Sequence, residues 1–554
     1  MDPFSLQGDH TARSANLENL GSWHPASNAP PQKAANLREA LRYVRQPLYL
    51  VEKERTTVPR LGGIGRLGAV NPGALPIAAY APPCFPENLG DPSFCRELGI
   101  RYPYVGGSMA KGISSAAMAE ELGRAGMLGF FGAAGLPLAT VSETADRLKA
   151  SLGDIPYGFN LIHSPHEPEL ESELAELYIR KGIRIIEASA FLALTLPLVR
   201  YRLHGIKRAA DGTIVTPNRI IAKVSREELA AKFFAPPPEK LLRALVANGS
   251  ITAEQAELAA LVPLAQDVTA EADSGGHTDN RPALALFPTI NALAAKLQRQ
   301  YGYSCRLRVG LGGGVSTPAS AAAAFSMGAA YLVTGSVNQA CVESGTSDTV
   351  RGMLAGTRQA DVTMAPAADM FEMGVTVQVL KRGTMFPMRA QKLYEIYRAC
   401  KSLDDIPAAE REKLEKTMFQ APLADIWRDT RAFFAKRDPS QVERAERDPK
   451  HLMALVFRWY LGMAAHWAKD GAEERRMDYQ VWCGPAMGAF NEWASGSFLD
   501  TPGNRTVEAV ALNILHGAAA LNRANFLSSQ GIELRMDEIA PQPLEIAQIK
   551  EYLC

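Results

Sequence analysis

Cysteine is scarce and unpatterned in this chain of 554 residues. Cys84, Cys95, Cys305, Cys341, Cys400, Cys483 and Cys554 form no CxxC pair and no metal-type spacing, which excludes a zinc ribbon and a disulfide framework and leaves reduced thiols. An excess of either charge is also missing. The 59 lysines and arginines balance 59 aspartates and glutamates, and no basic run carries interleaved aromatics, so neither nucleic acid nor a membrane surface is an expected partner. No apolar run approaches a membrane span. The first twenty residues also lack the basic start and apolar stretch of a secretory signal, and the expectation is a cytoplasmic, soluble protein.

What is present begins with a polar stretch rich in proline, alanine and asparagine at 1–35, expected to be a flexible arm. An N-terminal extension, 36–101, holds a helix near 36–45 and a strand over 46–52. The string GIGRLG at 63–68 matches GxGxxG, which needs a strand before it and a helix opening at its end. Pro59 upstream and Asn71-Pro72-Gly73 downstream deny it both, so a glycine-rich turn is expected there.

From Tyr102 short apolar runs ending in glycine alternate with amphipathic segments. Strands are expected at 104–107, 127–132, 157–162, 183–188, 220–225, 267–271, 307–311 and 331–335. Helices are expected at 115–125, 141–151, 168–181, 227–234, 285–301 and 318–327. Eight such units over roughly 235 residues have the size of an α/β fold of the (βα)8 TIM barrel type, with its site at the C-terminal strand ends. An open doubly wound sheet shows the same alternation. The barrel domain is placed at 102–390, with a helical insertion at 236–262 after strand five, where Pro236-Pro237-Pro238 precedes helices at 239–248 and 252–261. A mainly helical C-terminal cap, 391–554, carries helices at 410–419, 423–436, 440–446, 450–469 and 507–530. Five of the six tryptophans lie in this cap and are expected to pack its core.

Several strand ends carry more than packing residues. Strand one ends in Gly106-Gly107-Ser108-Met109, which lets a planar ring approach the main chain and offers it N–H groups. Asn160 at the third strand end supplies donors and an acceptor for a ring edge. Lys223 sits inside the apolar run IIAKV, where an ammonium needs an anionic partner such as a ligand edge or must reach the barrel rim. After strand six come Gly275-Gly276, where no Cβ keeps a flat ligand off the backbone, and then His277, whose imidazole titrates near neutrality. Gly312-Gly313-Gly314 after strand seven and Gly335-Ser336 after strand eight are where barrels commonly bind a phosphate. Together these point to a phosphorylated planar cofactor. Flavin mononucleotide (FMN) fits better than pyridoxal phosphate, which would need a Schiff-base lysine with a ring-nitrogen partner.

These elements resemble the FMN barrels of nitronate monooxygenases and FMN-dependent enoyl-ACP reductases. Longer strings resemble the PfaD-type enoyl reductases that act in trans in polyunsaturated fatty acid and polyketide synthases: YGFNLIHSP (157–165), EADSGGHTDNRP (271–282), TGSVNQAC (334–341), DMFEMG (369–374) and WCGPAMG (482–488). Gly312 departs from the alanine of the family's glycine loop. The resemblance implies that Gly107, Ser108, Met109, Asn160, Lys223, Gly275, Gly276, Gly312, Gly313, Gly314, Gly335 and Ser336 surround FMN. It makes His277 the active-site histidine, as proton donor or carbonyl polariser. NADPH or NADH would reduce the flavin, and an acyl carrier protein of the partner synthase would present the enoyl thioester. The chain leaves room for a homodimer.

Overall fold

The structure, a computed structural model, describes residues 20–25, 34–54, 56–163 and 168–553. Eight parallel strands close into a barrel: β1 Tyr104–Gly106, β2 Leu128–Phe131, β3 Tyr157–Ile162, β4 Ile185–Ser189, β5 Arg219–Val224, β6 Asp267–Glu271, β7 Arg308–Gly312 and β8 Leu332–Thr334. Closure comes from β8 pairing with β1, with Leu332 opposite Tyr104 and Thr334 opposite Gly106. The strands are buried on both faces, which is why they read as short continuous apolar runs. All eight expected strands are present within a residue or two.

Helices expected from the 3.6 period form between them, Pro168–Lys181 and Glu227–Phe234 at the expected bounds. Among the described residues the barrel helix Leu196–Leu203 was missed, as were the short helices Ser336–Gln339 and Asp348–Ala355 after β8. The buried face of Leu196–Leu203 includes Arg202, whose guanidinium donates to the Asn218 and Pro263 carbonyls, so the apolar periodicity is broken. The insertion after β5 is a pair of helices, Glu239–Ala247 and Ala253–Ala259, the second opened by a Thr252–Gln255 capping box.

The barrel's lower end is plugged. Helix Pro92–Leu98 places Phe94 against Tyr331, ring centroids 4.1 Å apart, beneath the strand residues Val105, Leu128 and Ile221. Nearby, Arg308 donates to Asp267 (Nε to Oδ1, 2.6 Å; Nη2 to Oδ2, 3.1 Å) and reaches Glu97. Among the described residues the upper end stays open, and the clefts described below lie there.

Before the barrel lies an antiparallel sheet ordered Thr56–Leu61, Leu48–Lys53, Leu75–Ala81, Gly21–His24, Ile64–Leu67. Two expectations are corrected here. Residues 64–67 of the GxGxxG string form an edge strand rather than a turn. Gly63 is held at φ +80°, where a Cβ would stand 2.5 Å from the Trp23 indole nitrogen. Gly21–His24, inside the expected arm, is a strand of this sheet; residues 1–19 and 26–33 lie outside the described residues. The sheet packs on the C-terminal helix Val507–Ser528, whose buried Arg523 donates to the carbonyls of Leu41, Tyr43 and Gln46 at 2.7–2.9 Å.

The cap is helical, with Leu423–Arg437, Pro439–Arg447 and the 22-residue helix Pro449–Asp470. A hairpin, Val362–Pro366 and Thr376–Leu380, has no counterpart among the expected elements. Its buried Val377 and Val379 join Phe371, Phe457 and Tyr460 in a core of their own, each valine contributing roughly 1.5–3 kcal/mol by burial. The hairpin's outer edge takes up Gly276–His277 as a third strand, Gly276 opposite Gln378 and His277 opposite Val377.

Candidate active site

Two adjoining clefts open at the upper strand ends, sharing Ser108, Met109, Lys223, Glu271, Gly275, Gln339 and Trp482. Between them they are lined by all thirteen residues singled out from the sequence.

The first cleft runs along the two glycine loops. Gly313 sits at φ +81°, with the position of a Cβ 2.6 Å from the Ala272 carbonyl, so only glycine fits. At Gly314 and Gly335 a Cβ would meet nothing within 4 Å, which places their backbones against open space. Among the described residues no hydrogen bond satisfies the N–H groups of Gly314, Val315, Gly335 or Ser336. Bare N–H groups beside open space are what an anionic oxygen requires. Gly312, by contrast, is not forced: a Cβ there would stand 3.2 Å from Thr269 Cγ2, so alanine needs only a small shift. Ser336 turns its hydroxyl elsewhere, accepting from the Gly484 N–H at 3.1 Å.

The opposite wall differs from expectation. Three N–H groups after β1 are already used: Gly107 donates to the Thr334 carbonyl (3.0 Å), Ser108 to Glu187 Oε2 (2.9 Å) and Met109 to Ser114 Oγ (2.8 Å). Gly107, Ser108 and Met109 thus present a surface without free main-chain donors, whereas the Ala110 N–H beside them has no partner among the described residues. Asn160 is likewise half spent, because its carbonyl oxygen accepts from the N–H groups of Ala133 (2.7 Å) and Ala134 (3.2 Å). Only its amide nitrogen remains for the cleft.

Lys223 has its anionic partners inside the protein. Its Nζ stands 3.2 Å from Glu271 Oε1 and 3.8 Å from Glu187 Oε2. Burial works against the ammonium, but the two carboxylates outweigh it and the Lys223 pKa is raised. Glu187 is fully buried and its pKa is raised, chiefly by burial and against the pull of Lys223. Among the described residues, one of its oxygens has no hydrogen-bond partner. Neither glutamate was assigned from the sequence. Nothing in the run IIEAS marks Glu187 as inward-facing.

His277 faces the second cleft, with Nε2 3.2 Å from Asp369 Oδ1. Burial lowers its pKa, but the Asp369 hydrogen bond and charge outweigh this, helped by Glu271, and the net shift is upward. Asp369 moves the opposite way: burial raises it, and His277 brings it below the usual carboxylate value. Its loop, 369–374, was noticed only as a family string.

The glycines before His277 serve a purpose other than the expected one. A Cβ on Gly275 would stand 2.9 Å from the Cys483 nitrogen, so its absence lets the cap segment Trp482-Cys483-Gly484 lie against the loop. Gly276, at φ +81°, turns the chain into the hairpin. Gln378 braces the same loop, donating to Asp273 Oδ1 (2.7 Å) and the Ser274 carbonyl (2.8 Å). Trp482 packs against the cap's core, as expected, and also lines both clefts. Its position follows from the bridge between Val379 and Trp482.

Comparison with known proteins finds relatives over most of the chain. The model of the inserted helical domain of [acyl-carrier-protein] S-malonyltransferase matches residues 400–479, within the cap. One of the proteins that make up the polyunsaturated fatty acid synthase of Thraustochytrium sp. is 48% identical over 526 residues, 93% of this chain and 35% of that protein. The polyketide biosynthesis protein PksE of Bacillus subtilis is 42% identical over 78% of this chain and 56% of its own length. The chain thus spans about a third to about half the length of these curated relatives. Among solved structures, the enoyl reductase domain of MlnA, from the macrolactin biosynthesis cluster of Bacillus amyloliquefaciens, superposes with a TM-score of 0.76 at 39% identity. The match covers 80% of this chain and 99% of that domain. The chain therefore belongs to the family of that domain, the PfaD-type enoyl reductases of polyunsaturated fatty acid and polyketide synthases.

Proposed function

We propose that this protein is an FMN-dependent enoyl reductase that takes electrons from NADPH and reduces the C=C bond of an α,β-unsaturated thioester carried by an acyl carrier protein. It would act in trans within a cytoplasmic polyketide or polyunsaturated fatty acid synthase. The observation that carries this reading is the convergence of the bare N–H groups after β7 and β8, a flat wall at Gly107 and the His277–Asp369 pair on one strand-end opening. A flavin phosphate fits the loops of Gly313-Gly314 and Gly335-Ser336. Its ring would lie along Gly107-Ser108-Met109, with the Asn160 amide and Lys223 at its polar edge. Bound there, FMN would supply hydride transfer from a nicotinamide to an electron-poor double bond.

The chain's own residues supply the rest. His277, kept protonated to a higher pH by Asp369, can deliver a proton to the α-carbon. Trp482 and Val377 of the hairpin line the second cleft beside His277 and would limit the water around the reacting carbons. We take 102–390 as the flavin-binding unit and 391–554 as the cap that adapts it to a carrier-bound chain.

The test is spectroscopic. Purified protein should show flavin absorbance that bleaches with NADPH without oxygen and returns on adding a crotonyl thioester. Flavin reoxidised only by air would point to an oxidase. A colourless protein that binds no added FMN would overturn the reading.

A further inference from the structure

Lys111 lies two residues beyond Met109, with its main chain in the left-handed region at φ +59°, a conformation that residues bearing a Cβ seldom adopt. The conformation is held from both sides, since Lys111 N–H donates to the Ala134 carbonyl and Gly112 N–H to the Gly132 carbonyl, each at 2.8 Å. It sends the side chain into the cleft that His277 and Asp369 also line. There Nζ donates to the Gly462 carbonyl at 2.9 Å, on the cap helix Pro449–Asp470. Among the described residues no carboxylate stands within ion-pair distance of this ammonium. A single carbonyl is partial compensation for a cation drawn out of water, so the site has capacity for a negative oxygen.

We propose that Lys111 is a further catalytic residue, whose ammonium holds the thioester oxygen while that oxygen carries the negative charge of the reduction. The inference rests on the function proposed above and extends it. Hydride forms the new C–H bond at the β-carbon, and the π pair moves through the α-carbon onto the thioester oxygen. Lys111 donates a hydrogen bond to that oxygen and keeps its protons. A proton from His277 then forms the α-carbon C–H bond as the pair returns. His277 and Lys111 thus divide the work.

The charges around the ammonium set its pH range. Burial lowers its pKa most and Lys469 adds to this, while Asp470 and Asp369 oppose, leaving a value of about 8. His466, on the same cap helix, is itself held below its usual value by burial and by Lys111. The ammonium is therefore present below pH ~8 and lost above it.

The test uses flavin-loaded wild type, Lys111→Met and Lys111→Arg. Anaerobic bleaching by NADPH should be the same in all three. Reoxidation by crotonyl-pantetheine should fall roughly 100-fold in Lys111→Met, the usual loss for one oxyanion donor. Lys111→Arg should keep part of the rate and lose the decline near pH 8. A readout independent of turnover is the absorbance of bound cinnamoyl-pantetheine, which should shift to longer wavelength in wild type and Lys111→Arg but not in Lys111→Met. Wild-type reoxidation rates or an unchanged cinnamoyl spectrum in Lys111→Met would overturn the proposal. So would equal slowing of both half-reactions with a lowered melting temperature, which marks a structural pin. Wild-type protein that bleaches but is not reoxidised by the thioester overturns the proposed function, and this inference with it.

Discussion

The two ends of the barrel each hold a buried cluster of charge, and they are built to opposite rules. At the lower end Arg308 is enclosed by Asp267, Glu97 and the Ser93 hydroxyl, with two parallel bonds to Asp267. At the upper end one lysine, Lys223, faces two carboxylates, and a Glu187 oxygen has no hydrogen-bond partner among the described residues. Saturated networks hold a fold together, whereas unsaturated ones leave capacity for a ligand. The contrast separates stability from chemistry within one β-barrel.

The sharpest way to break the comparison is at the lower end. Arg308→Met strands Asp267 as a buried, unpaired charge and should cost about 3–5 kcal/mol, read by urea unfolding. The flavin spectrum of whatever folds should be unaltered. At the upper end, Gly313→Ala forces a Cβ onto the Ala272 carbonyl in a left-handed conformation and should weaken FMN binding by roughly tenfold or more. Gly314→Ala has open space at its Cβ, so its cost is the conformation alone and the loss should be smaller. Fluorescence titration of FMN ranks the two.

A milder intervention sharpens the role of His277. Its raised pKa means that the His277–Asp369 attraction is present at acidic pH and lost as pH rises through the folded-state value. Asp369→Asn should lower that value, so the falling limb of the thioester half-reaction moves to lower pH while NADPH bleaching is unaffected. An unmoved limb would assign the proton to another group. The smallest effect is expected for Gly312→Ala, which restores the family's alanine with a 3.2 Å contact to Thr269 and should change FMN affinity by less than threefold.

The barrel was legible because strands buried on both faces and helices buried on one leave different periods in the chain, as Tyr157–Ile162 and Pro168–Lys181 show. The glycine loops were legible because left-handed conformations and close backbone approaches exclude other residues, as at Gly313. Other features carry no such local mark. The hairpin Val362–Pro366 and Thr376–Leu380 stands outside the alternation of strands with amphipathic helices that marks the barrel, so nothing sets its strands apart from the loops around them. Glu187 reads as any polar residue in a strand, and Lys111 as a surface cation.

Local order along the chain was enough to specify the eight barrel strands, six of the helices between them, the insertion after β5, the helices of the cap and the glycine positions at which the chain can turn or be approached. Each of these depends on neighbouring residues alone. Packing in three dimensions determined that Gly275 serves the cap segment, that Trp482 reaches from the cap core to the clefts, and that Ser108 and Lys223 share Glu187. It also brought Asp369, ninety-two positions from His277, to the imidazole whose charge it sets. Contacts between residues so far apart are chosen by how whole elements pack, and packing of that kind leaves no trace in a local pattern.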